Sequence, residues 1–234
     1  RGLYLSIDLY STRGFSAAEI ASFGLTGSSI SANTFKALVP LDENAYESWR
    51  RYTETLLTHV NPYTGLSWAE DPALIGICPV NEDNLYNHYT ANATVRDRYE
   101  QAFNLAYPPA GETTAERDAK RYRFLLERHA ASDARLQAYV RSLGTKALLT
   151  GANYGAAQGL TYQRFTYDYV DNHSYFNHPT YPGSGTVPLN GHNDSLVRRR
   201  VTMPRDVMTT RIFGKPFTVT EWLAARPNQY RAEA

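Results

Sequence analysis

The feature that most narrows the folds open to this chain is a set of five short apolar runs, each stopping at polar or acidic side chains. They are GLYLSIDLY (residues 2–10), ALIGICPV (73–80), KALLTGANY (146–154), YDYVDNHSYF (167–176) and KPFTVTEW (215–222). The second is too short for a core helix and rich in Ile and Val, and all five read as strands. Pro79 would break a ladder in mid-strand but is tolerated where a strand gives way to a loop. Helical patterns lie between the runs. Asp42 is placed as an N-cap, with Tyr46, Trp49, Thr53, Leu56 and Val60 at helical spacing before the stop at Asn61-Pro62. Thr113 and Glu116 have capping-box spacing. Tyr122, Leu125, Leu126, His129, Leu136, Tyr139, Val140 and Leu143 follow on one face before Gly144. A basic stretch around residues 194–213 reads as helix, and the link between residues 154 and 167 leaves room only for a short one. The long segments after the first two strands are expected to carry extra loops or helices.

Strands alternating with helices predict an α/β fold built of parallel βα units. Neither an internal repeat nor a linker divides the chain, so residues 1–234 are expected to be a single unit with no internal boundary. At 234 residues, 42% hydrophobic and 20% charged, the composition is that of a globular domain and not of a disordered segment. A formal net charge of +1 lacks the concentrated basic face that captures a polyanion, which argues against nucleic-acid binding. Arg198-Arg199-Arg200 is too short to change that. No run approaches the ~18–20 apolar residues of a membrane span. The single cysteine, Cys78, excludes an intrachain disulfide and sits in an apolar run, where a small buried side chain is expected. The chain opens without Met and reads as a processed or internal piece of something longer.

In a barrel of parallel strands, functional groups collect at the C-terminal strand ends. Here those ends carry Asp8 and Tyr10, then Asn81 and Glu82, then Asn153, then Asp171, His173 and Tyr175, and finally Glu221 and Trp222. Two glutamates at two strand ends suit glycosidic cleavage, which needs one carboxyl to protonate the leaving oxygen and another to attack or to activate water. Trp222 beside Glu221 suggests an aromatic platform for a sugar ring.

PVNE (residues 79–82), VTEW (219–222) and NHSYF (172–176) together resemble the clan of retaining (β/α)₈-barrel glycoside hydrolases that includes the cellulase-like and β-galactosidase-like families. The resemblance implies a TIM (β/α)₈-type barrel, here incomplete, with the five runs as strands three to seven. Strands one, two and eight would come from the rest of a parent chain or from another chain. Inactivity of this chain alone would therefore not count against activity of the parent. The resemblance implies Glu82 as acid/base, Glu221 as nucleophile and Asn81 as the group that binds the sugar 2-hydroxyl. It also implies Tyr175 as a donor to the nucleophile and His173 as a substrate-facing group. Asp8, Asn153 and Trp222 complete the candidate substrate contacts. An oligo- or polysaccharide would be the substrate, with no cofactor and no metal. Export is common among enzymes that degrade polysaccharides, an association that leaves the compartment open.

Two other readings compete. A non-catalytic carbohydrate-binding barrel would keep the aromatic cleft and misplace one glutamate. A metal-dependent hydrolase would use Asp171, His173, His178 and His192, whose spacing matches no strong motif. Asn92, Asn172 and Asn193 each begin a glycosylation acceptor pattern. Asn172 falls inside the proposed site, so these matches are read as chance.

Overall fold

A computed structural model describes residues 2–155, 158–176, 193–199, 203–224, 228–230 and 232. It is mixed α/β and falls into two compact units, residues 1–151 and 152–234.

The first unit opens with strand β1 (Leu5–Asp8), followed by helices α1 (Ala17–Ser22), α2 (Ala32–Leu38) and α3 (Glu43–Leu57). Strand β2 (Leu74–Cys78), helices α4 (Leu85–His88), α5 (Ala93–Ala106) and α6 (Thr114–Ser142), and strand β3 (Leu148–Leu149) complete it. The strands pair in parallel in the order β1-β2-β3, so β2 is central. β2 stops at Cys78, immediately before Pro79, which has no N–H to give a ladder. Cys78 is buried.

Side-chain caps set where the helices begin. Asp42 accepts from the Ala45 N–H at the start of α3. Thr113 and Glu116 close a reciprocal capping box on α6, and Ser16 with Glu19 does the same on α1. Asn92 spends its side chain accepting from the Val95 N–H at the start of α5. It therefore acts as a helix cap there. The short α1, α2 and α4 carried no periodic run long enough to predict.

The core of this unit is aromatic. Tyr10, Phe15, Phe23 and Phe35 pack ring on ring with centroids 4.6–5.9 Å apart. Trp49 of α3 is fully buried, and its indole N–H donates to the Pro79 carbonyl at 3.0 Å. A helix side chain thus holds the backbone at the point where β2 becomes a loop.

The second unit contains helix α7 (Gln158–Thr166), strand β4 (Val170–Phe176), helices α8 (Leu196–Arg199) and α9 (Met203–Met208), and strand β5 (Phe217–Ala224). Within the basic stretch predicted as helical, the described residues carry α8 and α9. β4 and β5 pair in parallel as a two-stranded sheet.

The sequence predicted five consecutive strands of one barrel sheet. The described residues instead form a three-stranded and a two-stranded sheet, and no closed barrel is seen among them. β3 pairs over two residues only, and beyond Gly151 the φ of +52° at Ala152 is left-handed, a conformation that does not continue a strand.

Trp49→Ala should destabilise the chain by about 3–5 kcal/mol, through the cavity it leaves and the lost hydrogen bond to Pro79. Trp49→Phe should keep most of the packing. Urea unfolding followed by circular dichroism measures both.

Candidate active site

In the second unit the decisive local event is one extra residue in β5. Asn172 pairs with Val219, but the next residue on β4, His173, pairs with Glu221. Thr220 is therefore a bulge, and a bulge re-aims every side chain beyond it. Before it, Thr218 shares a face with Asp171; after it, Glu221 is delivered to that same face. The Asp171 carboxylate accepts from Thr218 Oγ1 at 2.7 Å, the Thr220 N–H at 3.0 Å and Thr220 Oγ1 at 2.5 Å. Asn153 Nδ2 adds a longer contact of 3.4 Å. Asp171 is 1% exposed. Burial alone would raise its pKa, yet hydrogen bonds from His173, Thr220 and Thr218 hold it below the ordinary carboxylate value.

Around this anchor stand the other predicted groups. His173 is buried, and Asn153 Nδ2 lies 3.0 Å from its Nε2. Nδ1 is 3.4 Å from Glu221 Oε1. The other carboxylate oxygen of Glu221, Oε2, accepts from the Tyr175 hydroxyl at 2.6 Å. Glu221 retains partial exposure, and Tyr175 is 41% exposed. A carboxylate approached at both oxygens on an accessible strand end has the orientation that a nucleophile or a base needs. Asn153, predicted as a substrate contact, is fully buried and supports His173.

Trp222 was predicted as a platform beside Glu221. The bulge sends it the other way, to the side of Phe217 and Val219, where these three line a cavity of about 500 Å³ with Val207, Met208 and Arg211. Trp222 also packs with Phe176 against Leu196. The metal reading fares differently on its two halves: Asp171 has its lone pairs engaged by the donors above, and His178 and His192 lie outside the described residues. Asn172 is buried and donates to Thr210 Oγ1 and the Gly155 carbonyl, so it is closed to glycosylation.

Arg164 was not anticipated. It is fully buried in α7, and its Nη2 donates to the carbonyls of Ala152 at 2.7 Å and Gly155 at 2.6 Å. That clamp fixes the left-handed Ala152 and with it the loop carrying Asn153. Burial lowers the guanidinium to about 10, against the pull of Asp171.

In the first unit, Glu82 follows β2 with φ +50°. Left-handed backbone costs a residue with a Cβ roughly 1–2 kcal/mol, so the turn must be held by its surroundings. Upstream, the Asn81 N–H donates to the Tyr10 carbonyl at 2.8 Å and Asn81 Nδ2 to Ser11 Oγ at 3.1 Å. At Glu82 itself the carbonyl meets His88 Nε2 at 2.9 Å. A carbonyl only accepts, so this nitrogen carries a proton. Downstream, buried Asp83 lies 3.3 Å from His129 Nε2, and Asp133 lies 3.8 Å from the same atom. Asp8, half-buried at the end of β1, joins Asp83 and Glu82 in facing the charge of buried Lys36.

The donor atoms of Asp83, His129 and Asp133 all lie within 4.8 Å of one another, and imidazole with two carboxylates is a set that metal ions use. A proton already supplies positive charge there. Burial would lower the His129 pKa, but Asp133 and Asp83 reverse that and raise it to about 9. Asp83 is correspondingly held below its ordinary value, its burial outweighed chiefly by the His129 charge.

No family model and no curated protein matches the chain. Among solved structures it is similar to the X-ray structure of an endo-beta-1,4-mannanase from Thermotoga petrophila, with a TM-score of 0.41 and 18% sequence identity. The match covers 74% of this chain and 34% of that one, so the chain spans about a third of the mannanase. At that score the likeness transfers neither fold nor activity.

The raised His129 pKa has a stability consequence. Below pH 6.5 folded and unfolded chains both hold the proton, and the full stabilisation is present. Between 6.5 and about 9 only the folded chain holds it, so stability falls as the pH rises. Asp83→Asn should end that fall at a lower pH and make it smaller, because it removes one of the two charges that raise His129. Urea midpoints measured across this range for wild type and variant check both statements.

Proposed function

We propose that this chain is part of a (β/α)₈-barrel glycoside hydrolase that cleaves β-linked oligo- or polysaccharides with retention, through a covalent glycosyl-enzyme intermediate. The observation that carries the reading is the environment of Glu221. A bulge turns it toward Asp171 and His173, Tyr175 donates to one oxygen at 2.6 Å, and His173 Nδ1 approaches the other at 3.4 Å. An attacking carboxylate needs this kind of fixed orientation, because reaction requires one lone pair aligned on the anomeric carbon.

In this mechanism Glu221 attacks the anomeric carbon while protonated Glu82 gives its proton to the leaving oxygen. Glu82 then takes a proton from the incoming water, and the attack of that water releases Glu221. A retaining pair works with its carboxyl groups about 5–5.5 Å apart. Asn81 would read the sugar 2-hydroxyl, and His173 and Asp8 would contribute polar contacts. None of these steps calls for a cofactor. Among the described residues no helix is long and apolar enough to cross a membrane.

Three measurements on the full-length protein test the proposal. Glu221→Ala should abolish turnover. Glu82→Ala should lose most activity on unactivated substrates, by about 10²–10⁴-fold, and regain some with azide and an activated aryl glycoside. An activated 2-deoxy-2-fluoro glycoside should label Glu221 covalently, as seen by peptide mass spectrometry. Wild-type rates in either variant, or a label on another residue, would overturn the assignment. Retained sugar binding without turnover in wild type would point to the non-catalytic barrel.

A further inference from the structure

We infer that His88, together with the buried Asp83–His129–Asp133 cluster, is the positioning device that holds Glu82 in its left-handed turn and so aims its carboxyl group; the inference rests on the reading of Glu82 as the acid/base.

The turn lacks the residue that usually fills such a position. Left-handed backbone is the province of Gly and, less often, Asn or Asp, and here a glutamate occupies it at φ +50°. The conformation persists only if contacts on both sides make the alternatives worse. Upstream the backbone is tied at Asn81 by Tyr10 and Ser11. The peptide that follows Glu82 is tied by His88, which is 6% exposed and donates to the Glu82 carbonyl at 2.9 Å. A peptide plane fixed at its carbonyl cannot rotate back to ordinary helical or extended backbone without breaking that bond.

The next residue is fixed by charge. Asp83 and His129 are both buried and 3.3 Å apart, and Asp133 sits one helical turn beyond His129 on α6. Separating Asp83 from His129 would leave a buried carboxylate with less compensation, so the main chain at Asp83 has little freedom. His129 is itself walled in by Tyr86 of α4, whose ring meets the imidazole edge-on at 6.5 Å and stacks on Tyr122 of α6 at 4.7 Å. α4 is thus docked on α6 by the same group of side chains that pins Asp83, and α4 is the helix that carries His88. Glu82 lies between an anchored residue before it and an anchored residue after it.

The deciding experiment is a crystal structure of full-length His88→Ala beside His88→Gln, which can offer a side-chain N–H to the same carbonyl. Glu82 should leave the left-handed region in the first and keep it in the second. Finding φ near +50° in His88→Ala would overturn the proposal. Asp83→Asn, nearly isosteric, provides an independent variant and should shift the same turn if His88→Ala fails to fold; an unmoved turn in Asp83→Asn would also overturn the role of the cluster.

Turnover gives the functional arm, using phenyl and 2,4-dinitrophenyl β-D-glucosides, β-D-galactosides and β-D-mannosides. A misaimed acid penalises the poor leaving group and spares the good one. His88→Ala should therefore lose about 10–100-fold in kcat/KM on the phenyl glycoside, with little change on the dinitrophenyl glycoside, and His88→Gln should recover most of the loss. Equal losses on both substrates would mean general structural damage and would overturn the positioning role. Wild-type behaviour of Glu82→Ala on the phenyl glycoside, or no turnover of any probe by wild type, would overturn the glycosidase reading instead. The backbone readout would still judge His88.

Discussion

The first unit is organised by the burial of β2 between two parallel neighbours. Ile77 and Cys78 are withdrawn from solvent and the ladder runs on both edges, so β2 cannot slide or rotate without breaking pairs on both sides. Its end is therefore a fixed point. Trp49 adds a hydrogen bond to the Pro79 carbonyl from a side chain buried in the aromatic core. The residues just beyond, Asn81 to Asp83, inherit that rigidity. A left-handed glutamate can be sustained there because neither of its neighbours is free to relax.

In the second unit the comparable fixed point is Asp171. A buried carboxylate with few donors would be expensive, and this one is compensated by two threonine hydroxyls, a backbone N–H and an amide. Those donors come from β5 and from the loop that Arg164 clamps. The carboxylate thereby ties β4, β5 and the 152–155 loop together, and it supports His173 from behind. Glu221 and Tyr175 sit at the outer margin of this network, where access to solvent returns.

Much of this was legible in the residues, for identifiable reasons. The strands announced themselves because buried parallel strands are nearly continuous apolar runs. The Asp42 and Thr113/Glu116 caps were readable because capping depends on spacing within one turn. The polar groups at the strand ends stood out against the apolar runs before them. What stayed hidden depends on contacts distant in sequence or on a single backbone angle. His129 looked like one more residue on the apolar face of α6, and only the fold brings Asp83 to it. Its partner Asp133, one turn along, was the available signal. Asn92 drew notice only as a chance match to a glycosylation pattern, and its role as a cap was missed although Val95, Tyr99 and Phe103 follow it at the spacing of a buried helix face. The short pairing of β3 hid inside an apolar run, because the left-handed Ala152 leaves no compositional mark. Thr218 and Thr220 gave a hint as alternating hydroxyls before Glu221, but alternation alone predicts the wrong face for Glu221.

That last point gives β5 something like a reading frame. Two chemically opposite residues, a carboxylate and an indole, are adjacent at its end, and strand geometry must send them to opposite sides. Which side each takes is decided by whether Thr220 is spent as a bulge, not by the preference of either side chain. If Thr220 paired regularly with His173, every chemical group of the strand end would stay in place. The two would nonetheless be exchanged, presenting an indole to His173 and Tyr175 and turning a charge into the apolar packing around Leu196. Deleting Thr220 would instead keep Glu221 opposite His173 and take two donors from Asp171. The pairing register of this short segment carries as much information about the site as its composition.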